Sequence, residues 1–333
     1  MPRSLKSNLA AIAEEQVKEL GIKQLAFSIG IAEGTLRKQL SDNWIYVHRK
    51  EVEKICDHFG IGVDQLYKLV PDEFWAPFES LKTCTFLRGS TDPPQMRGPD
   101  IDAESEIQNV LQKLVQGVRC QKKEFDLERA AEIPRLAEND NCIVIGSPKS
   151  NPASEILLCQ FFKARPFDCD PENARRVPFS FVWPSGAAPD GPSTLSAASV
   201  AMPADKPGLC WRDGGSLVGR MDFWPFDQFK ARTIGKGRDC GVIFVTNKQI
   251  SDGRKVKLIV LCGMSGIGTV GAARALTKNF KDLEPTPGLD YVLGVVQSWY
   301  NKPANQVHAR KLKSIKWIVR VGGRAPISLS KDR

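Results

Sequence analysis

The stretch LAFSIGIAEGTLRKQL, residues 25–40, carries the clearest structural signal in the chain. Apolar residues recur at helical spacing on both sides of Gly30. Glycine suits a turn that needs a positive backbone angle, and the small Ala26 suits a point where two helices cross closely. The pattern therefore predicts two short helices joined by a tight turn.

The same helical spacing continues on both sides of this stretch, with Gly21 and Gly60 as predicted helix ends. With this helical spacing and these glycines, residues 7–70 resemble the lambda-repressor-like (Xre/Cro) helix-turn-helix family. The resemblance implies that this region binds double-stranded DNA. The matching positions are Leu25-Ala26, Gly30-Ile31, Thr35-Leu36, Val52, Ile55, Phe59-Gly60-Ile61 and Asp64-Gln65-Leu66-Tyr67.

The resemblance also implies which side chains face DNA. Arg37 is the candidate for a base contact, because arginine can bond guanine in a bidentate way. Lys38, Arg49 and Lys50 are candidates for phosphate contacts. The outer face of the recognition helix is predicted to consist of Glu33, Gly34, Arg37 and Lys38.

Two features depart from the family pattern. Ile22 stands where many relatives carry a phosphate-contacting glutamine. Residues 1–75 hold ten Lys/Arg and eleven Asp/Glu, so they supply little of the positive charge on which non-specific DNA affinity depends. A protein-interaction role for this domain therefore stays open as the alternative.

The excess positive charge lies at the other end of the chain. The formal net charge is +9, and residues 302–333 hold nine Lys/Arg against the single Asp332. Such a patch attracts nucleic acid or another polyanion, but a solvated basic face has the same composition. Both interpretations stay open.

Composition predicts a folded, soluble protein, because 42% of the 333 residues are hydrophobic and 26% are charged. No apolar run reaches the roughly 18 residues of a membrane span, and no signal-peptide pattern begins the sequence. The nine cysteines form no CxxC pair, which favours reduced, buried thiols over a metal site. We therefore expect a cytoplasmic protein without a membrane partner.

Four segments are predicted along the chain. They are an all-α helix-turn-helix domain (1–70), a Pro/Gly-rich linker (71–104), a connecting helix (105–137) and an α/β domain (138–333) with a flexible insertion (184–209). Apolar runs that alternate with helical patterns favour a Rossmann-like, mainly parallel sheet in the last segment. The connecting helix could pack on that domain or pair with its copy in a homodimer.

Two loops of the α/β domain are predicted to bind an anionic, nucleotide-like ligand. Each follows an apolar run and precedes a helix, whose N-terminus attracts negative charge. A ligand-free turn is the alternative for both loops. The candidate ligand residues are Gly146, Ser147, Lys149, Ser150 and Asn151 in the first loop, Gly263, Ser265, Gly266, Gly268 and Thr269 in the second, and Arg320 and Arg324 near the C-terminus.

Two functions fit these features. The first is a homodimeric transcriptional regulator whose C-terminal domain senses the nucleotide-like ligand, and the sequence identifies no certain cofactor. The second is a nucleotide-processing enzyme that carries a helix-turn-helix adaptor. In an enzyme, Glu155 and Asp239 are the candidate catalytic carboxylates.

Overall fold

The computed structural model of the protein divides into two compact units, Met1–Glu73 and Phe74–Arg333. It describes residues 4–7, 9–40, 48–70, 73–90, 98–183, 191–198, 208–213, 216–222, 235–251, 253–286, 288–302 and 311–323.

The first unit is built mainly from short helices around one small core. Buried apolar side chains from several of them, among them Leu25, Leu36 and Ile55, pack together in that core. Its elements are β1 (Ser4–Ser7), α1 (Leu9–Ile12), α2 (Glu14–Ile29), α3 (Glu33–Leu40), α4 (Arg49–Phe59), α5 (Val63–Leu66) and β2 (Tyr67–Val70).

Glycines end or interrupt the helices of this unit where the sequence predicted. Gly30 and Gly60 have φ angles of 76° and 65° and cap α2 and α4. Gly21, with φ 74°, breaks the course of α2. The helical domain is confirmed, but it is not purely α, because β1 and β2 pair in antiparallel fashion, with Ser4 opposite Val70. This pairing joins distant segments, and local helical spacing does not reveal it.

A seven-stranded mixed sheet organises the second unit, in the order β13-β12-β10-β11-β5-β3-β4. The strands β3, β4, β5 and β11 run parallel, while β10, β12 and β13 are antiparallel to their neighbours. The mainly parallel sheet that we predicted is thus wrong for half of the strand pairs. The strands are β3 (Thr83–Gly89), β4 (Arg119–Phe125), β5 (Cys142–Ile145), β10 (Gly235–Gln249), β11 (Lys255–Gly263), β12 (Tyr291–Lys302) and β13 (Lys311–Gly323).

Helices and a second sheet cover the two faces of the mixed sheet. One face buries apolar side chains against α6 (Ala76–Leu81), α7 (Gly98–Leu114) and α11 (Gly266–Asn279). The other face packs on α8 (Ile133–Asn139), α9 (Pro152–Phe162) and a four-stranded sheet. That sheet consists of β6 (Phe179–Trp183), β7 (Ser196–Ala198), β8 (Gly208–Asp213) and β9 (Ser216–Asp222), and the short helix α10 (Pro171–Ala174) precedes it.

The predicted linker and connecting helix are wrong in the described residues. Segment 71–104 contains α6, β3 and the start of α7, and β3 lies inside the sheet between β5 and β4. Segment 105–137 holds the rest of α7, then β4 and most of α8. Buried Phe74, Trp75 and Phe78 anchor the start of this region in the core. Prolines and glycines between these short elements explain why the sequence looked like a linker.

The predicted insertion 184–209 contains strand structure where the structure describes it. Residues 196–198 form β7, which pairs with β6 in parallel, and β8 begins at Gly208. The rest of the predicted insertion, 184–190 and 199–207, lies outside the described residues. We found no helix in the described residues that is both long and apolar enough to cross a membrane.

A buried lysine ties the first residues of the second unit to the sheet. The Lys257 side chain is fully buried on β11, and its ammonium lies 4.0 Å from the centroid of the Phe74 ring. The same ammonium forms an ion pair with Glu284, whose other carboxylate oxygen accepts a hydrogen bond from Asn247 at 2.7 Å. A buried charge of this kind needs its partner.

The variant Glu284→Gln should lower the free energy of unfolding by about 2 kcal/mol, because it leaves the buried ammonium with only part of its compensation. Adding Lys257→Met should recover much of this loss. Urea unfolding of the full chain measures both effects. Equal stability of the single variant and wild type would contradict the prediction.

Candidate nucleic-acid interface

Helix α3 presents a polar face to solvent. Gly34, Arg37 and Lys38 are exposed and Glu33 is half-buried, whereas Leu36 and Gln39 point into the unit. The predicted outer face of the recognition helix therefore lies at the surface, as DNA contact would require.

Contacts from neighbouring helices hold α3 in position. Leu36 packs in the shared core with Ile29 of α2. The Thr35 hydroxyl donates a hydrogen bond to the Glu51 carboxylate of α4 at 3.3 Å. In addition, the Lys54 ammonium donates to the Gly30 carbonyl at 2.6 Å, at the turn between α2 and α3. These two bonds tie α3 and the preceding turn to α4.

Acidic neighbours on the same helix partly offset the positive charge of this surface. Arg37 and Glu33 are 2.6 Å apart, and Arg49 and Glu53 are 2.7 Å apart. Both are exposed intrahelical pairs, which contribute only a few tenths of a kcal/mol in water. DNA phosphates or base edges can therefore compete with the glutamates at little energetic cost. Lys50, the remaining phosphate candidate, is also exposed.

The first unit thus has the architecture of a helix-turn-helix protein. Residues 16–72 match the family model of the Cro/C1-type HTH DNA-binding domain, so this part of the chain is such a domain. The match covers about a sixth of the chain, and residues beyond 72 match no family model. No curated protein and no solved structure matches the chain.

The second candidate region lies at the carboxyl edge of the parallel strands. There β5 and β11 lead into loops, and α9 and α11 begin directly after them. The N-terminal end of α7 reaches the same edge, since the Asp100 carboxylate lies close to Gly146. Such edges form ligand sites in many α/β proteins.

The loop between β5 and α9 contains the first set of candidate ligand residues. Asn151 serves the fold: its amide donates to the Leu87 and Ile145 carbonyls at 3.1 and 2.9 Å, and its oxygen caps α9. The Ser147 and Ser150 hydroxyls lie 3.3 Å apart. Lys149 is exposed, with its ammonium 4.9 Å from the centroid of the Trp183 ring.

In the second loop, a carboxylate of the chain itself lies where the sequence predicted an anionic ligand. Asp239 on β10 accepts hydrogen bonds from the Gly268 amide at 2.9 Å, from the Ser265 hydroxyl and from the Cys240 amide at 2.7 Å. Its side chain is buried at the N-terminus of α11. Asp239 therefore supplies the negative charge that this helix end favours.

The glycines of the second loop allow close backbone packing. A Cβ added at Gly268 would overlap the Cys240 carbonyl, and one at Gly266 would overlap Pro99. A Cβ at Gly263 would overlap the amide of Thr269, a buried residue of the first turn of α11. The small residues thus let α11 lie directly on the sheet.

Glu155 is a structural hydrogen-bond acceptor. Its carboxylate is fully buried on α9 and accepts bonds from the Thr194 amide at 2.6 Å, the Ser193 hydroxyl at 2.9 Å and the Phe167 amide at 3.2 Å. Burial raises the pKa of Glu155, and these hydrogen bonds partly oppose the rise. The side chain holds two loop segments against α9.

The remaining candidates are placed as follows. Arg320 lies on β13 with its backbone opposite Gly294, and its side chain is outside the described set. Arg324 lies outside the described residues.

The cysteines are free, and most are buried. Burial raises the pKa of Cys262, near Glu155, to about 12, which disfavours a reactive thiolate.

Substituting Arg37 should reduce sequence discrimination by the domain. Arg37→Ala should weaken binding to a selected operator about tenfold to a hundredfold, since one bidentate base contact is worth about 1–3 kcal/mol. Lys38→Ala should weaken binding to all duplexes alike. Lys18→Ala, at an exposed site on α2, is the charge-matched control. Selection from random duplexes, followed by titration, checks this. An unchanged consensus with Arg37→Ala would overturn the assigned face.

The raised pKa of Glu155 should make stability depend on pH. The folded state holds this proton more tightly than the unfolded chain, so its contribution falls as pH rises from about 4.3 through the folded pKa. Glu155→Gln keeps the acceptor oxygen and should gain stability relative to wild type over that window. Exposed Glu128→Gln is the control.

Replacement by alanine separates the charge of Glu155 from its hydrogen bonds. Glu155→Ala should cost about 3 kcal/mol at neutral pH, because buried donors lose their acceptor. Unfolding titrations between pH 4 and 8 measure these variants. Parallel pH profiles for wild type and Glu155→Gln would refute the assignment.

Proposed function

We propose that the protein is a DNA-binding transcriptional regulator. The observation that carries this proposal is the Cro/C1-type HTH domain at residues 16–72, with the exposed face of α3 available for a major groove. Arg37 would read a base edge, next to Glu33 and Gly34, while Lys38, Arg49 and Lys50 would contact phosphates.

A homodimer is the proposed active form. One small helix-turn-helix domain makes few contacts with DNA, and dimers of this class gain affinity and specificity by reading two half-sites one helical turn apart. The neutral charge of residues 1–75 strengthens this argument, because a single copy offers few cations to phosphates.

The second unit is proposed to sense an anionic ligand through the loop 146–151. Its place at the carboxyl edge and the exposed ammonium of Lys149 support this, with the hydroxyls of Ser147 and Ser150 as further donors. The loop 263–269 is a weaker candidate, because Asp239 already bonds to the N-terminus of α11. A ligand regulates DNA binding if it prefers one of the two states.

Neither candidate carboxylate favours the enzymatic alternative. Both Glu155 and Asp239 are buried and accept several hydrogen bonds from their own chain. We therefore give them structural roles and propose no catalytic step.

Selection of operator sequences with the full chain tests the regulator. An enriched palindromic motif with half-sites about one helical turn apart supports the dimer, and recovery of no motif contradicts DNA reading. Thermal shifts with nucleotides and inorganic phosphate then test the sensor. A shift that Lys149→Ala abolishes and Lys163→Ala preserves supports the loop 146–151, whereas equal shifts in both variants exclude Lys149.

A further inference from the structure

Three strands of the mixed sheet extend beyond the carboxyl edge of β11. The pair Gly241–Gly263 ends the β10–β11 ladder, but β10 continues its pairing with β12 to Gly235 and Lys302. At about 3.3 Å per residue, this extension is about 20 Å long. We define the basic arm as residues 235–240, 297–302 and 311–316.

The two faces of the basic arm differ. On one face the Tyr300 ring lies over Gly237, where a Cβ would overlap it, and Ile315 packs towards α11. Strand alternation places Arg238 and Trp299 on the opposite face, because Cys240 and Val295 of the same strands point that way. Arg238 and Trp299 are cross-strand neighbours, and Trp299 pairs in turn with Ser314.

Positive charge dominates the basic arm. It contains six Lys/Arg (Lys236, Arg238, Lys302, Lys311, Lys313 and Lys316) and a single acidic residue, Asp239. That acid is buried at the start of α11, so it does not neutralise the surface. Arg238, Lys313 and Lys316 are exposed and take part in no ion pair among the described residues.

The shape of the arm suits a polyanion. Lys313 is an extra residue at a bulge in β13, between the pairs Trp299–Ser314 and Tyr300–Leu312. An open depression of about 540 Å³ lies beside it, lined by Trp299, Tyr300, Lys313, Ser314, Ile315 and Lys316. Two lysines and a serine thus line one depression, and lysine and serine side chains are donors that bind phosphate oxygens.

We infer that the basic arm is a second DNA-contacting surface, which binds the phosphate backbone of duplex DNA without reading its sequence. The inference rests on the proposed DNA-binding function, and charge complementarity carries it. The Cro/C1-type domain has no net positive charge, since residues 1–75 hold ten Lys/Arg and eleven Asp/Glu, whereas counterion release requires cations. Three strands side by side are too broad for a groove about 12 Å wide, so backbone contact fits better than base readout.

The salt dependence of DNA binding tests the arm in the full chain. The probe is a 40-base-pair duplex of random sequence, titrated at several salt concentrations. The arm variant Arg238→Gln/Lys313→Gln/Lys316→Gln should reduce the slope of log Kobs against log salt by about 2.7, at about 0.9 per lost phosphate contact. The control Lys113→Gln/Lys255→Gln/Lys278→Gln removes the same charge from exposed sites outside the arm and should change the slope little.

Each outcome decides between interpretations. Equal slopes for the arm variant and the control would overturn the inference and leave a solvated basic edge. The inference would also be overturned if the arm variant weakened binding only to a 40-nucleotide single strand and not to the duplex. That result would favour single-strand binding. Failure of the proposed function is a separate result: selection would then recover no operator, or Arg37→Ala would leave the preference for the selected operator over random duplex unchanged, whatever the arm variant does. Melting temperatures confirm that all variants fold.

Discussion

The bond network of Asp239 fixes the position of α11, on which much of the second unit depends. One carboxylate reaches the first turn of α11 and the next residue of its own strand. With the helix held there, glycines at 241 and 268 allow helix and strand backbones to touch. The helix in turn covers β10, β11 and β12. A charged side chain and small residues thus both contribute to the position of α11.

This arrangement gives the glycine-rich loop 263–269 a structural role. From sequence, a strand followed by glycines and a helix indicates an anion site. In the folded chain the anion is Asp239, which belongs to a different strand. Local sequence cannot show this, because the contact depends on the register of β10 against β11. The loop 146–151 differs, since Lys149 is exposed to solvent.

The sequence predicts best the helices, turns and strands that depend on residues close together in the chain. Gly30 and Ala26 predict the turn and the helix crossing, and apolar runs predict β5, β10, β11, β12 and β13. Strand β4, RCQKKEF, was missed because its charged residues read as a continued helix, and only pairing with β3 makes it a strand. The same holds for β1 and β2. In the candidate interface, the family resemblance implied an outward-facing Arg37, and its ion pair with Glu33 has the i,i+4 spacing at which helix side chains are neighbours.

The bulges in β13 have a consequence for how copies of the protein meet. Among the described strands, β13 is the last of the sheet, so its outer backbone groups form an edge that another strand could extend. Two irregularities interrupt its register, near Val295 and Trp299, and lysines recur along it. Irregular twist and like charges oppose edge-to-edge pairing between chains. The outer edge of β13 is therefore a poor template for sheet-mediated aggregation.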